Sequence, residues 1–177
     1  MVFLALNSEP CETLPRVVVG SDLGCPTAGK ASPQQACRQL TSFGGGEPAT
    51  GQVPTTVLLD LFNMRQRFTM YTPPRDMSCI IDAAKVADLI VWCCSAHEPI
   101  DEFADECVSV VKAQGTPSVM GLLQGTAEMK PTKANDVKTE LFQWMGHNFG
   151  GSHKVVTSET EAEAKQAARF LLSQKVS

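Results

Sequence analysis

The chain has 177 residues, 43% of them hydrophobic, and its 15 Lys and Arg against 19 Asp and Glu give a net charge of −4. This length and composition predict a single domain, 1–177, with a core large enough to fold by itself. The negative charge excludes a broad basic face of the kind that grips nucleic acid. Two small basic groups remain: Arg65, Arg67 and Arg75 form one, and Lys130, Lys133 and Lys138 form the other. We interpret the lysines as solvated surface.

Membrane, secreted and metal-binding classes are disfavoured. The apolar run from Leu89 to Cys94 has the length of a strand and is too short for a membrane span. The segment from Met1 to Leu6 lacks the basic n-region of a signal peptide, which argues against that class. Seven cysteines without a C-x-x-C pair and three separated histidines favour buried thiols in a reducing compartment, with no zinc site.

The first third of the chain predicts a strand, a loop and a short helix. Val17 to Val19 is β-branched and leads into a loop rich in Gly, Pro and Thr. Ser32 is a suitable N-cap with Pro33 at the first helical position. The segment from Gly44 to Pro54 lacks periodicity, so residues 44–54 are expected to form a flexible loop, where a G protein carries its first switch.

A hairpin and a buried strand follow. Thr55 to Leu61 and Arg67 to Thr72 predict two strands separated by a few polar residues. Asp76 can cap a helix from Met77 to Ala87. The apolar run from Leu89 to Cys94 then predicts a central parallel strand covered on both faces.

Alternation of helix and strand continues. A helix is predicted from about Asp101 to Gln114, stopped by Gly115, and a strand from Ser118 to Leu123. Pro131 indicates the start of another helix, which we expect to end at Gly146.

The last elements are a short strand, Lys154 to Thr157, and a helix whose start is predicted by a capping box of Ser158 and Glu161. The whole order predicts an α/β fold like that of P-loop small G proteins, because only one hairpin interrupts the alternation. We expect a mostly parallel six-stranded sheet with one antiparallel edge strand and helices on both faces.

The phosphate loop of such a fold needs GxxxxGK followed by Ser or Thr, since backbone amides and the Lys hold phosphates and the hydroxyl ligates magnesium. Gly24, Gly29 and Lys30 match the first part. Ala31 occupies the hydroxyl position, and Pro26 removes a backbone donor. The pattern favours a loop that has lost its function.

Two further nucleotide elements are missing. At the end of the third strand, Asp-x-x-Gly should order magnesium and contact the terminal phosphate, but Tyr71 and Pro74 stand there, and proline has no N–H to donate. After the fifth strand, Asn-Lys-x-Asp should read guanine, but the segment Gln124 to Ala127 has no carboxylate. Three failures in one chain predict a domain without catalytic, cofactor-binding or metal-binding residues.

Other chemistries receive little support. Ser95, His97 and Asp101 are close in sequence but lack the strained turn around the serine that a nucleophile needs. An acidic cluster at the start of the helix from Asp101 is interpreted as complementing the helix dipole: Glu98, Asp101, Glu102, Asp105 and Glu106.

Several blocks resemble the eukaryotic ribosome-biogenesis GTPase-like family. They are Gln66 to Thr69, Thr72 to Arg75 and Asp82 to Asp88, and then Lys112 to Gly121 with Leu123 to Gly125. The last two are more similar to the branch that matures the small-subunit precursor than to the GTPase branch of the early processome. The likeness covers roughly residues 65–175 and is general in the first 60 or so.

The resemblance implies a degenerate G domain, one part of a longer multidomain protein that rides on the maturing small ribosomal subunit. Its partners would be rRNA, ribosomal proteins and other assembly factors, with no membrane and no small-molecule substrate, in the nucleolus or nucleus and the cytoplasm. Two functions stay open: a non-catalytic placeholder that aids pre-rRNA processing, and a nucleotide-gated GTPase in which Gly24, Gly29 and Lys30 hold phosphates.

Overall fold

The computed structural model describes residues 2–7, 55–61, 64–115, 118–150, 153–157 and 159–173, with side chains from Phe68 onward. The described strands form one sheet in the order β2-β3-β1-β4-β5-β6. Their bounds are β1 Val2–Asn7, β2 Thr55–Leu61, β3 Met64–Tyr71, β4 Leu89–Ser95, β5 Ser118–Gln124 and β6 Lys154–Thr157.

The predicted hairpin and the parallel half of the sheet are confirmed. Strands β2 and β3 pair antiparallel, with Leu61 opposite Met64 at the turn. Strands β4, β5 and β6 pair in parallel, with Leu89 opposite Ser118 and Met120 opposite Lys154. The α/β assignment therefore holds, and the parallel strands β4 to β6 are joined by helical crossovers.

The expectation of one antiparallel strand is wrong for the described sheet. Strand β1 lies between β3 and β4 and runs against both, with Phe3 opposite Tyr71 and Val2 opposite Val91. The signal for this strand in the sequence is the strand-length apolar run from Met1 to Leu6, which the comparison with a signal peptide overlooks. The predicted strand at residues 17–19, the helix start at 32–33 and the loop at 44–54 lie outside the described residues.

Four helices are described: α1 Met77–Val86, α2 Glu102–Gln114, α3 Pro131–Phe149 and α4 Glu161–Ser173. The predicted start of α1 and the predicted end of α2 are confirmed by their caps. The Asp76 carboxylate accepts a hydrogen bond from the Cys79 amide at 3.1 Å, and Gly115 ends α2 with φ +93°. None of these helices has the length and apolarity needed to cross a membrane.

The predicted end of α3 at Gly146 is wrong. The helix continues to Phe149 and ends at Gly150, where φ is +60°. Gly146 serves another purpose, because a Cβ there would lie 3.1 Å from Cε1 of the His153 ring. Glycine inside this helix is thus explained by close packing and not by termination.

The predicted capping box of α4 is displaced by two residues. The hydroxyl of Thr160 accepts from the Glu163 amide at 3.3 Å, and the Glu163 carboxylate accepts from the Thr160 amide at 3.1 Å. Ser158 of the predicted box lies outside the described residues, and the Glu161 carboxylate forms an ion pair with Lys165 at 2.6 Å. Both spacings fit the motif, and only the position of the helix start distinguishes them.

The core lies on both faces of the central strands. Residues Leu89 to Cys93 of β4 are all buried, as are Val119 to Gln124 of β5. An aromatic cluster joins β4 to α3, with the Trp92 ring 5.9 Å from Trp144 and 5.5 Å from Phe149. Burial of successive residues requires cover on both faces, which the helices supply.

Gly121 in β5 provides a test of this packing. A Cβ at this position would lie 2.6 Å from Sδ of Met145 and 3.0 Å from Cγ2 of Val155. We expect Gly121→Ala to lower the free energy of unfolding by about 1–3 kcal/mol in urea denaturation, because the overpacked core must shift. The control Ser118→Ala, at an exposed position of the same strand, should change it by less than about 0.5 kcal/mol. Equal effects would contradict the close packing of α3 on β5.

Candidate functional site

The carboxyl ends of β3, β4, β5 and β6 lie at one edge of the sheet. Strands β3 and β4 both run antiparallel to β1, and β4 to β6 are mutually parallel. These strands end at Tyr71, Ser95, Gln124 and Thr157. In open α/β sheets the loops at this edge form the ligand-binding crevice, so they form the candidate site.

The loop after β5 is held by a carboxylate from the loop after β6. Glu159 Oε1 accepts a hydrogen bond from the Gly125 amide and another, at 3.0 Å, from the Thr126 amide. In a G protein the loop after β5 supplies the carboxylate that reads guanine. Here the loop supplies backbone donors, and a carboxylate of the protein itself occupies them.

Gly125 is required by this arrangement. Its φ of +84° favours glycine. A Cβ would also lie 2.9 Å from Cδ2 of His97, so the His97 ring packs directly on the glycine backbone. The Ala96 amide donates to the Gln124 carbonyl at 2.8 Å. The loops after β4, β5 and β6 are thus tied together at the edge where a ligand would enter.

The cap of α4 positions Glu159. The Glu159 amide donates to Oε2 of Glu163 at 3.1 Å, so the residue is anchored by its backbone while its side chain reaches Gly125. Partial burial raises the pKa of Glu163, but hydrogen bonds from the Thr157 side chain and from the Thr160 and Glu159 amides outweigh it and leave this pKa below its ordinary value.

The loop after β3 is fastened to α2. Arg75 forms an ion pair with Asp101, and its guanidinium lies 4.7 Å from the centre of the Phe103 ring. Asp101 also caps α2, accepting from the Ala104 amide at 3.0 Å. This loop corresponds to the second switch of a G protein. Arg75 therefore has partners on α2, whereas the side chains of Arg65 and Arg67, the other members of the small basic group, lie outside the described residues.

The residues considered for catalysis are not brought into a triad. The Ser95 hydroxyl accepts from the backbone amide of His97 at 3.2 Å, and Asp101 is directed to Arg75 and the α2 amides. In the acidic cluster, Asp105 accepts from Nε1 of Trp144 at 3.1 Å. Among the described residues no group of His, Cys, Asp and Glu has the arrangement of a metal site.

The predicted phosphate loop, Gly24 to Lys30, and Ala31 lie outside the described residues. Strand β1 ends at Asn7, opposite Arg67, at the other end of β3 from Tyr71.

Sequence reasoning missed the residues that build this edge, namely Glu159, Arg75 and the glycine function of Gly125. The sequence pattern predicts no role at this edge for Glu159 and places Arg75 only in a small basic group. The available signal was topological, because the carboxyl ends of parallel strands meet at one edge and bring Gly125 near Glu159.

The fold and this edge define a GTPase-like α/β domain in which the loops after β4, β5 and β6 are joined to one another. Two solved structures share the fold: Era bound to MgGDPNP and 16S ribosomal RNA nucleotides, and the elongation factor SelB of Methanococcus maripaludis. Each gives a TM-score of 0.63 at 13% identity over 89% of this chain, covering 56% of the Era chain and 33% of the SelB chain. Likeness at this identity shows the fold alone.

Residues 26–173 match the family model of the Tsr1 G-like domain, and the chain belongs to that family. It is 29% identical over 108 residues to the ribosome biogenesis protein tsr1 of Schizosaccharomyces pombe and 32% identical over 108 residues to the mouse pre-rRNA-processing protein TSR1 homolog. These matches cover 60% and 61% of this chain but 14% and 13% of the relatives, so it spans a small part of their length. The predicted family resemblance is confirmed.

Removal of the Glu159 carboxylate tests the contact between loops. We expect Glu159→Ala to lower the free energy of unfolding by about 1–3 kcal/mol, because two part-buried amides lose a charged acceptor. Hydrogen exchange of the Gly125 and Thr126 amides should accelerate in the same variant. Glu161→Ala, which removes an exposed ion pair with Lys165, should have a smaller effect on the free energy of unfolding and leave that exchange unchanged. Unaltered exchange in Glu159→Ala would contradict the contact.

The cap of α4 predicts an acid-sensitive contribution to stability. Because the pKa of Glu163 is lowered in the folded chain from the ordinary 4.5, its contribution is complete above that value and is lost as the pH falls through the folded-state pKa. The variant Glu163→Gln should therefore lose less stability than the unmodified chain between about pH 7 and about pH 3 in thermal melts. The same reduction in Glu102→Gln, which removes a charge from the first turn of α2, would instead indicate a general charge effect.

Proposed function

We propose that the chain is a pseudo-GTPase domain, a G-domain shape used for binding and without nucleotide chemistry. The observation that carries this proposal is the Glu159 carboxylate on the Gly125 and Thr126 amides. This contact occupies backbone amides of the loop after β5, which in a G protein reads guanine, with a side chain of the protein itself. A base would have to displace a charged hydrogen-bond acceptor and would meet no carboxylate on Gln124 to Ala127 in return.

The loop after β3 supports the same function. Tyr71 and Pro74 stand where magnesium and the terminal phosphate need an Asp and a glycine amide. Arg75 ties this segment to Asp101 and Phe103. A switch must exchange between two arrangements in response to a phosphate. This loop lacks the Asp and the glycine amide that respond to phosphate, and its arginine is bound to α2 instead.

The setting of this function is the small ribosomal subunit. Relatives named as ribosome biogenesis and pre-rRNA-processing proteins motivate the assignment. The domain would act as one part of a longer assembly factor in 40S maturation and pre-rRNA processing. It would contact rRNA, ribosomal proteins and other factors of the precursor particle, in the nucleolus or nucleus and in the cytoplasm.

The second candidate is a nucleotide-gated GTPase of early small-subunit assembly. The match of Gly24, Gly29 and Lys30 to the phosphate-loop pattern favours it. Three features weigh against this candidate. Ala31 stands in place of the hydroxyl residue, Pro26 removes a backbone donor from the phosphate loop, and two further nucleotide elements are missing.

Calorimetric titration with GTP, GDP and ATP in the presence of magnesium distinguishes the two. We expect no heat of binding and no thermal shift for the unmodified chain or for Lys30→Ala, because no element supplies phosphate and base contacts together. Binding of a guanine nucleotide that Lys30→Ala abolishes would establish the GTPase instead.

A cellular measurement tests the assembly role. In cells depleted of the full-length protein, the Lys30→Ala form should restore small-subunit precursor rRNA to its normal level as well as the unmodified form does. Failure of that variant, with normal protein abundance, would contradict a role independent of nucleotide. Unchanged precursor rRNA on depletion would contradict the role in small-subunit assembly.

A further inference from the structure

A cavity of about 280 Å³ opens between α2 and α3 beside the carboxyl ends of β4 and β5. Its volume is just under the range of about 300–1,000 Å³ typical of sites for small molecules, so it suits a single side chain better than a nucleotide. Apolar groups from the strands, the loop after β4 and α3 form its walls. They include Pro99, Ile100, Leu123, Val137, Leu141 and Trp144.

Three carboxylates accompany these apolar walls: Glu98 from the loop after β4, Asp105 from α2 and Glu140 from α3. The residues lining the cavity include no Lys, Arg or His. Asp105 accepts from Nε1 of Trp144 at 3.1 Å, which holds the indole at the wall. A cation would gain attraction from three anions that no cation of the lining balances.

A buried donor lies next to this cavity. A recess of about 10 Å³ shares Cys94, Ser95, Glu98, Pro99 and Ile100 with it and is also lined by Trp92. Trp92 is fully buried, and its Nε1 has no acceptor within the described part of the chain. Buried donors without a partner are rare, so an acceptor that entered this recess would find an unpaired N–H beside it.

An arginine side chain matches these features together. Its apolar stem can lie along aliphatic walls, while its planar guanidinium can stack on an indole and donate several hydrogen bonds to carboxylates. Nucleic acid is the opposite case, because phosphates would be repelled by Glu98, Asp105 and Glu140.

We propose that this acidic cavity, lined by Glu98, Asp105, Glu140 and Trp144, binds an arginine side chain of a basic protein segment on a partner. The inference rests on the proposed function only for the setting of that partner. Particles rich in RNA contain proteins rich in Lys and Arg, because these residues neutralise phosphates. The cavity would therefore hold the domain to a protein of the particle and not to its RNA.

The two tryptophans of the chain provide the test. Their indole N–H resonances in a proton–nitrogen NMR spectrum of the 177-residue chain are assigned with Trp144→Phe. The probe is a short acetylated peptide with one arginine between two leucines, and the control peptide carries neutral citrulline in its place. We expect saturable shifts of both indole resonances, with the citrulline peptide at least about tenfold weaker, since it lacks the charge.

Matched variants locate the binding. Glu140→Gln, at an exposed position of α3, should weaken binding of the arginine peptide about tenfold if one charged contact is lost. Glu102→Gln removes a charge from α2 at a residue outside the cavity lining and should leave the affinity unchanged within about twofold. Equal weakening by both variants would show general charge attraction and overturn the proposal.

Other outcomes also overturn it: no indole shift with the arginine peptide, equal binding of the citrulline peptide, or displacement of the arginine peptide by an oligouridylate RNA that shifts the same resonances. The pseudo-GTPase proposal fails on a different measurement, nucleotide calorimetry. A chain that binds no nucleotide and no arginine peptide would retain the first proposal and lose this one.

Discussion

The contact of the Glu159 carboxylate with the Gly125 and Thr126 amides is the constraint on which the candidate site depends. Backbone donors at the carboxyl edge of a parallel sheet need an acceptor, and in a nucleotide-binding protein the ligand contributes to meeting that need. Here a side chain meets it. These two amides are therefore hydrogen-bonded without a ligand, and the same contact holds the loops after β5 and β6 together.

A second contact between elements lies at the opposite end of the same edge. Arg75 joins the loop after β3 to the N-terminus of α2 through Asp101 and Phe103. Asp101 is shared between this ion pair and the helix cap, so removal of either partner affects both. The two loops that would respond to nucleotide are thus connected to neighbouring elements, which fits a domain whose shape is the functional property.

The acidic cavity is the part of this region that we propose for protein contacts. The acidic cavity between α2 and α3 lies next to the edge and combines an apolar floor with carboxylates. Its wall is fixed by the Trp144 hydrogen bond to Asp105 and by the packing of Trp92 against Trp144. A preformed pocket of this kind lowers the entropic cost of binding a partner's side chain.

The sequence by itself determined the alternation of strands and helices from Thr55 onward, the caps at Asp76 and Gly115, and the residue types that replace two nucleotide-binding motifs, because local periodicity and capping chemistry act over a few residues. Only the tertiary structure decided the place and direction of β1, the start of α4, the packing role of Gly146, and the meeting of Glu159 with Gly125. These depend on contacts between residues distant in the chain. Two equally spaced capping boxes, Ser158 with Glu161 and Thr160 with Glu163, cannot be separated until the sheet fixes where the helix begins.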